Sequence, residues 1–356
     1  MSKSLNRITA GKRERGKGKS FLPKILFLAL SLCPFPFSLI FAVEYPRGFF
    51  IEDLRHNPPS PAFYNLESHH VEPFRLKQAY IDFLDVYWDR ERGHVLFSAH
   101  TSRKEPFKIY MKDWPDGDEK VIYENPTGPF RFLLSPDGER LALQVMGPSS
   151  WPVLAVYDWQ TQKGIGLGQG HSPDWSADGR KLLFLKIPGS LPSWLYEYSV
   201  DTDTATRLVD EPVMEAVYTD DPAQIILKSA SQSKRCDVFQ MWNRRTDRYQ
   251  VFYLEDPGVC KKRTISQREL AAFPGHRFFF FKESIGSHDP ENQSLIVTDV
   301  WGGRLQTISY EDWDPAASAV EGTTLAMSEE PIFLVSADGA GGKAEIPQAR
   351  FIRAHH

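Results

Sequence analysis

The chain has 356 residues, with 42 Lys/Arg against 46 Asp/Glu and 41% hydrophobic residues, enough for one large domain or two ordinary ones. Its 26 prolines and 24 glycines suit a turn-rich fold, and the absence of a sustained heptad excludes a coiled coil.

The N-terminus separates from the rest. Residues 1–20 hold seven Lys/Arg and one Glu, and the apolar run ILFLALSLCPFPFSLIFAV follows at 25–43. A basic stretch before an apolar run reads as a secretory signal, here with a cut after Ala42. The alternative is an uncleaved anchor, because the run is about long enough to span a bilayer. Leu32 precedes Cys33 where a lipoprotein signal needs a small residue, and no adjacent Arg pair supports twin-arginine export. Either way the rest of the chain is expected outside the cytoplasm, periplasmic or secreted, touching the membrane only through this segment. Without residues 1–42, 34 Lys/Arg face 45 Asp/Glu, a net charge of −11 that argues against a nucleic-acid partner. Residues 43–79 are rich in Pro and are expected to be a linker, with 66–79 supplying a candidate ring-closing strand.

From residue 80 to 352 one pattern recurs. The blocks DRERGHVLFSA, SPDGERLALQV and SADGRKLLFLK set polar turns before apolar runs beginning at Val95, Leu141 and Leu182. Weaker copies follow at Ile225, Phe278 and Leu325, so the intervals are 46, 41, 43, 53 and 47 residues. Downstream of each turn lies a second hairpin, as in KIYMKDWPDGDEKVIY and WLYEYSVDTDTATRLV. Pro136 presets φ, Asp137 can bond nearby N–H groups, and Gly138 accepts positive φ. Two hairpins in about 46 residues make one four-stranded propeller blade. The expected fold is all-β, a six-bladed propeller with four antiparallel strands per blade. Innermost strands are expected near 82–88, 129–135, 172–176, 213–219, 269–273 and 316–320.

The stretch PDWSADGRKLLF at 173–184, with FLLSPDGERLAL at 132–143, resembles the TolB-like (WD40-like) propeller repeat. The resemblance covers about 80–350 and is strongest in the first three blades. It implies an exported bacterial propeller. The α/β domain that precedes the propeller in the type member has no room in 43–79, so no role transfers with the repeat.

Motifs of catalysis are missing. GIGLGQG at 164–170 fails the dinucleotide spacing, because Gln169 stands where Gly is needed. DGDE at 116–119 and DTDTAT at 201–206 lack the twelve-residue calcium spacing. There is no G-x-S-x-G. Trp114, Trp159 and Trp313 read as packing residues, and His100, His171 and His288 fall in expected loops. No catalytic residue, cofactor or metal is expected.

Loop lengths carry more. The turns within each hairpin are tight, whereas the loops of the opposite face are long: 100–107, 229–236, 256–270 and 283–292. Long loops gathered on one side of a rigid scaffold are a common place for recognition. That face carries the basic residues Lys234, Arg235, Lys261, Lys262 and Arg263, together with His288. Arg131, Glu215 and Asp85 stand at first-strand ends near the channel mouth. Cys236 and Cys260 flank the third and fourth strands of one blade and are the disulfide candidates. The expected function is a non-catalytic binding scaffold for an envelope protein or peptidoglycan-associated partner. The alternative is a propeller-type lyase or glycosidase acting at the channel mouth.

Overall fold

A computed structural model describes the chain from residue 48 to 355, apart from 54–59, 66, 69, 81, 90–91, 103, 126–129, 148–150, 188–192, 231–236, 255–264, 274–276, 285–292, 300–303, 310–323, 328–331, 336–340, 345–348 and 352. Beyond Val251 the strands are described by backbone path and pairing.

The described residues form strands and no helix. The first three are β1 (Gly48–Asp53), β2 (Ser60–Asn65) and β3 (His70–Pro73). The first repeat supplies β4 (Asp82–Asp89), β5 (His94–His100), β6 (Phe107–Asp113) and β7 (Glu119–Asn125). The second gives β8 (Phe130–Leu134), β9 (Arg140–Met146), β10 (Pro152–Asp158) and β11 (Lys163–Trp175). Next come β12 (Lys181–Lys186), β13 (Trp194–Ser199) and β14 (Thr204–Arg207), then β15 (Glu215–Tyr218), β16 (Gln224–Ala230), β17 (Asp237–Asn243) and β18 (Arg248–Leu254). The fifth repeat gives β19 (Ile265–Phe273), β20 (Arg277–Ser284), β21 (Gln293–Asp299) and β22 (Arg304–Ser309). The chain ends with β23 (Thr324–Met327), β24 (Ile332–Val335), β25 (Gly341–Ala344), β26 (Ala349–Phe351) and β27 (Arg353–His355).

Within each repeat the strands pair antiparallel in chain order, which is the blade pattern of a β-propeller. Two blades are joined by β11, whose first half closes one and whose second half opens the next. A separate loop and a strand at 172–176 were expected there. The chain instead turns between blades at a bulge between His171 and Asp174, with Ser172 at φ 51°. The sixth repeat shows three strands, and its expected inner strand at 316–320 lies outside the described residues.

The blade count does not stop at the six repeats. β26, β1, β2 and β3 form a further four-stranded sheet built from both ends of the chain, and β27 runs parallel to β4 with Arg353 beside Asp85. Residues 43–79 therefore contribute three paired strands. Aromatic packing holds them: Phe50 and Phe63 meet at 5.3 Å, Phe63 meets Trp114 at 4.8 Å, and Trp88 meets Trp114 at 5.1 Å between ring centroids. Fully burying one such ring contributes roughly 2–3 kcal/mol.

The turns fold as their residues dictate. Ser135 Oγ accepts from Arg140 N at 2.9 Å and donates to Asp137 at 2.5 Å, while Gly138 sits at φ 72°. Ser176, Asp178 and Gly179 repeat this arrangement. Neighbouring blades are then bolted together. Arg92 donates to Asp137 O at 2.8 Å, Trp175 Nε1 to Leu133 O at 3.2 Å, and Tyr218 N to Asp174 Oδ2 at 2.7 Å. Trp159 donates to Gly138 O at 3.0 Å, so it serves the scaffold.

Candidate functional site

The ladder register defines a level near the long-loop ends of the inner strands. Arg131 lies opposite Gln144, His171 opposite Leu185, Glu215 opposite Lys228, and Arg268 opposite Phe281. Three successive blades thus carry an arginine, a histidine and a glutamate at one height, and Arg268 holds the same register position in the fourth. Arg131 is exposed.

Glu215 has two partners in the fold. Its Oε1 accepts from Lys228 Nζ at 3.2 Å and its Oε2 from Leu270 N at 3.1 Å, which ties its blade to β19. The Lys228 side chain is 4% exposed, so this ion pair is largely withdrawn from water.

His171 belongs to β11 rather than to a loop. Its Nδ1 stands 2.9 Å from Ser172 Oγ and its Nε2 3.3 Å from Ser193 Oγ. Burial holds its pKa below the usual histidine value, against the pull of Glu215, so the imidazole is neutral at pH 7. Three residues on, burial pushes the Asp174 carboxyl up to about 7, opposed by the hydrogen bond from Tyr218 N. Sequence reasoning missed Asp174 as a perturbed acid, because the shift comes from burial in the folded packing, which the repeat pattern does not specify.

Apolar side chains rim this end. Among the described residues six large hydrophobics are exposed: Val121, Met146, Trp151, Met214, Tyr249 and Val251. Met146 and Trp151 close the long-face loop between β9 and β10, where Gly147 N donates to Trp151 O at 2.9 Å, and Met214 immediately precedes Glu215. The other three lie on the outer strands β7 and β18. Of these, Tyr249 lies close to the tight-turn end, two residues after the turn at Asp247 and paired with Trp242.

The tight-turn end carries a different feature, an open depression of about 400 Å³ lined by Asp178, Lys181, Pro222, Ala223, Arg244 and Arg245. Its charges are engaged. Glu197, 8% exposed, receives Lys181 Nζ at 3.2 Å, Tyr218 Oη at 2.7 Å and both terminal nitrogens of Arg244. Burial alone would raise the Glu197 pKa, but the hydrogen bonds from Arg244 and Tyr218 outweigh it and the net shift is downward. Arg245 grips Asp221 through two contacts of 3.1 Å. This network is a seam between two blades.

Lys234, Arg235, Lys261, Lys262, Arg263, His288, Cys236 and Cys260 lie outside the described residues, as does Trp313. Their flanks are described. β17 begins at Asp237 and β18 ends at Leu254, with Val238 paired to Leu254, so the segments carrying the two cysteines leave from neighbouring strand ends. Among the described residues no group of His, Cys, Asp or Glu could hold a metal ion, and no helix is long and apolar enough to cross a membrane.

No protein-family model and no curated protein matches the chain. Solved structures do. Oligogalacturonate lyase in complex with manganese is 12% identical, with 84% of each chain covered and a TM-score of 0.50. TolB from Acinetobacter baumannii is 14% identical, with 82% of this chain and 77% of that chain covered and a TM-score of 0.47. The β-propeller domain of the Trilobed protease from Pyrococcus furiosus, described as an open velcro topology, is 14% identical over 73% of this chain and 78% of that one, at a TM-score of 0.46. At such identity the likeness extends to the propeller fold and stops there.

Proposed function

We propose that the protein is an exported, non-catalytic binding scaffold that engages an acidic envelope protein or peptidoglycan-associated partner through its long-loop face. The observation that carries this reading is the placement of Met146, Trp151 and Met214. All three are exposed at the end where Arg131, His171 and Glu215 stand. Exposed Met and Trp beside Arg make a surface of the kind that anchors protein partners. The basic residues Lys234, Arg235, Lys261, Lys262 and Arg263, with His288, belong in this reading to the same face and steer the partner's approach. A bridge between Cys236 and Cys260 would brace the loops that carry them.

Charge reversal at Lys261, Lys262 and Arg263 tests the reading on a partner recovered from envelope extract. Association should slow more than dissociation accelerates, and added salt should mimic the change. Asp137 and Asp178 are poor controls, because each is bonded into its own turn. Asp118 and Asp201, both exposed near the tight-turn end, are better ones. Equal loss of association in the control variants would refute the assignment of the face.

The second reading, a lyase or glycosidase at the channel mouth, rests on the neutral imidazole of His171 at that level. It requires turnover of an acidic polysaccharide that disappears in His171→Ala while the fold persists.

A further inference from the structure

One face of the third blade carries two cations that the fold leaves without full counter-charge. Cross-strand register puts Lys186 of β12 opposite Trp194 of β13, and Tyr196 of β13 opposite Arg207 of β14. Side chains opposite one another, or two apart on one strand, share a face, so all four stand on one surface near the long-loop end. Phe184, paired with Tyr196, belongs to the same buried cluster as Leu154 and Leu167, so this face looks toward the second blade.

The four side chains interlock diagonally. The Arg207 guanidinium lies over the Trp194 ring, with Cζ 3.8 Å from its centroid, and the Lys186 ammonium lies over the Tyr196 ring at 5.2 Å. Two carbonyls hold the guanidinium in place: Nε donates to Val209 O at 2.9 Å and Nη2 to Asp210 O at 3.0 Å. Its Nη1 edge has no partner among the described residues. Trp194 and Tyr196 are two apart on one strand, so the two cations ride roughly 7 Å from each other. The acid beside them is Asp210, whose carboxylate is fully exposed and 3.6 Å from Nη2, a pair of little strength. Among the described residues no carboxylate pairs with Lys186. β11 passes it at Gly168, where a Cβ would stand 4.0 Å from Nζ, so the missing side chain keeps the ammonium open on that side. Residues 43–356 carry a net charge of −11, and two adjacent cations sharing one weakly held acid run against that average.

We propose that this surface binds an acidic oligosaccharide. One acid group takes the Nη1 edge of Arg207 and a second takes Lys186, through charge-assisted hydrogen bonds. The sugar between them lies on the uncovered parts of Trp194 and Tyr196, both of which are half-buried. Fixed cations beside aromatic surface match the two things an acidic sugar presents, its charge and the apolar C–H face of its ring. An acidic peptide offers the charge alone. The site shares no residue with the docking face proposed above, so each stands or falls by itself.

Isothermal titration calorimetry of the full chain tests this with polymers of one backbone: carboxymethyl dextran, dextran sulfate and neutral dextran. The charged dextrans should bind, more weakly as salt rises, and neutral dextran should not. Polyglutamate should bind roughly tenfold more weakly than carboxymethyl dextran, since it lacks the ring. Lys186→Gln should weaken carboxymethyl dextran binding roughly tenfold, the worth of one charge-assisted hydrogen bond, with an unchanged melting temperature. Arg207→Lys keeps the charge, loses the fork and should weaken binding similarly. Asp210→Asn removes the competing carboxylate and should tighten binding, and Arg180→Gln near the tight-turn end should leave it unchanged. The proposal is overturned if neither charged dextran binds, if polyglutamate binds as tightly as carboxymethyl dextran, or if Lys186→Gln and Arg207→Lys bind as the wild type does.

Discussion

Asp174→Asn is expected to stabilise the protein above neutral pH and to do little near pH 4. The Asp174 carboxyl is pushed up to about 7 by burial, while in the unfolded chain it returns to its ordinary value of 3.8. Between those values the folded state keeps a proton that the unfolded state has released, so stability falls as pH rises through the window and levels off above about 7. A gap of about three pH units at 1.36 kcal/mol each sets an upper limit of roughly 4 kcal/mol on the loss. An asparagine offers Tyr218 N the same carbonyl-type acceptor at the position of the present 2.7 Å bond and carries no charge to bury. Urea unfolding of both proteins at steps from pH 4.5 to 8 measures the difference. His171, whose pKa is lowered by burial, titrates in both and cancels from the comparison. The stability gain of the variant should grow with pH. A difference independent of pH, or a variant equally destabilised at pH 4.5 and pH 8, refutes the argument that burial of this carboxyl costs stability.

Other outcomes follow from the same contacts. Glu197→Ala leaves Lys181, Arg244 and Tyr218 without their shared acceptor; because both cations are partly exposed, the loss by urea unfolding should be about 2–3 kcal/mol, below the full value for a buried pair. Gly179→Ala forces a Cβ into positive φ and to 2.9 Å from the Asp137 carboxyl, which should cost roughly 1–2 kcal/mol in the same assay. Non-reducing mass spectrometry of the purified protein should find Cys236 joined to Cys260, closing a loop worth roughly 3 kcal/mol in the chain-entropy model, and two alkylatable thiols would exclude the bridge.

The repeat was readable because its turns are local. Ser135, Asp137 and Gly138 act within six residues of one another, and any chain making that turn needs much the same residues. The extra sheet was hidden for the converse reason. β1 and β2 read GFFIED and SPAFYN, carry no such turn, and are held by aromatic contacts with Trp88 and Trp114. The outer-strand bulges at Ile122, Leu167 and Phe252 were also invisible, since an extra apolar residue leaves an apolar run unchanged. The seams between blades explain the rest. Arg92 reaches Asp137 over 45 residues, Tyr218 reaches Asp174 over 44, and Arg244 reaches Glu197 over 47, each about one repeat apart. Periodicity gives that distance, but not which side chains meet across it. Glu215 shows the consequence for the candidate site: its position at the mouth could be read from the repeat, its pairing with Lys228 and Leu270 could not.

The central claim is that partners are bound at the long-loop end, and site-specific photo-crosslinking tests it most directly. A photoreactive residue placed singly at Trp151 or Met214 samples that end, and one at Asp118 or Asp201 samples the tight-turn end. With envelope extract as the source of partner, the first pair should give a discrete, repeatable adduct and the second pair none. Adducts at Asp118 and Asp201 with none at Trp151 and Met214 would show that the tight-turn end is the binding face.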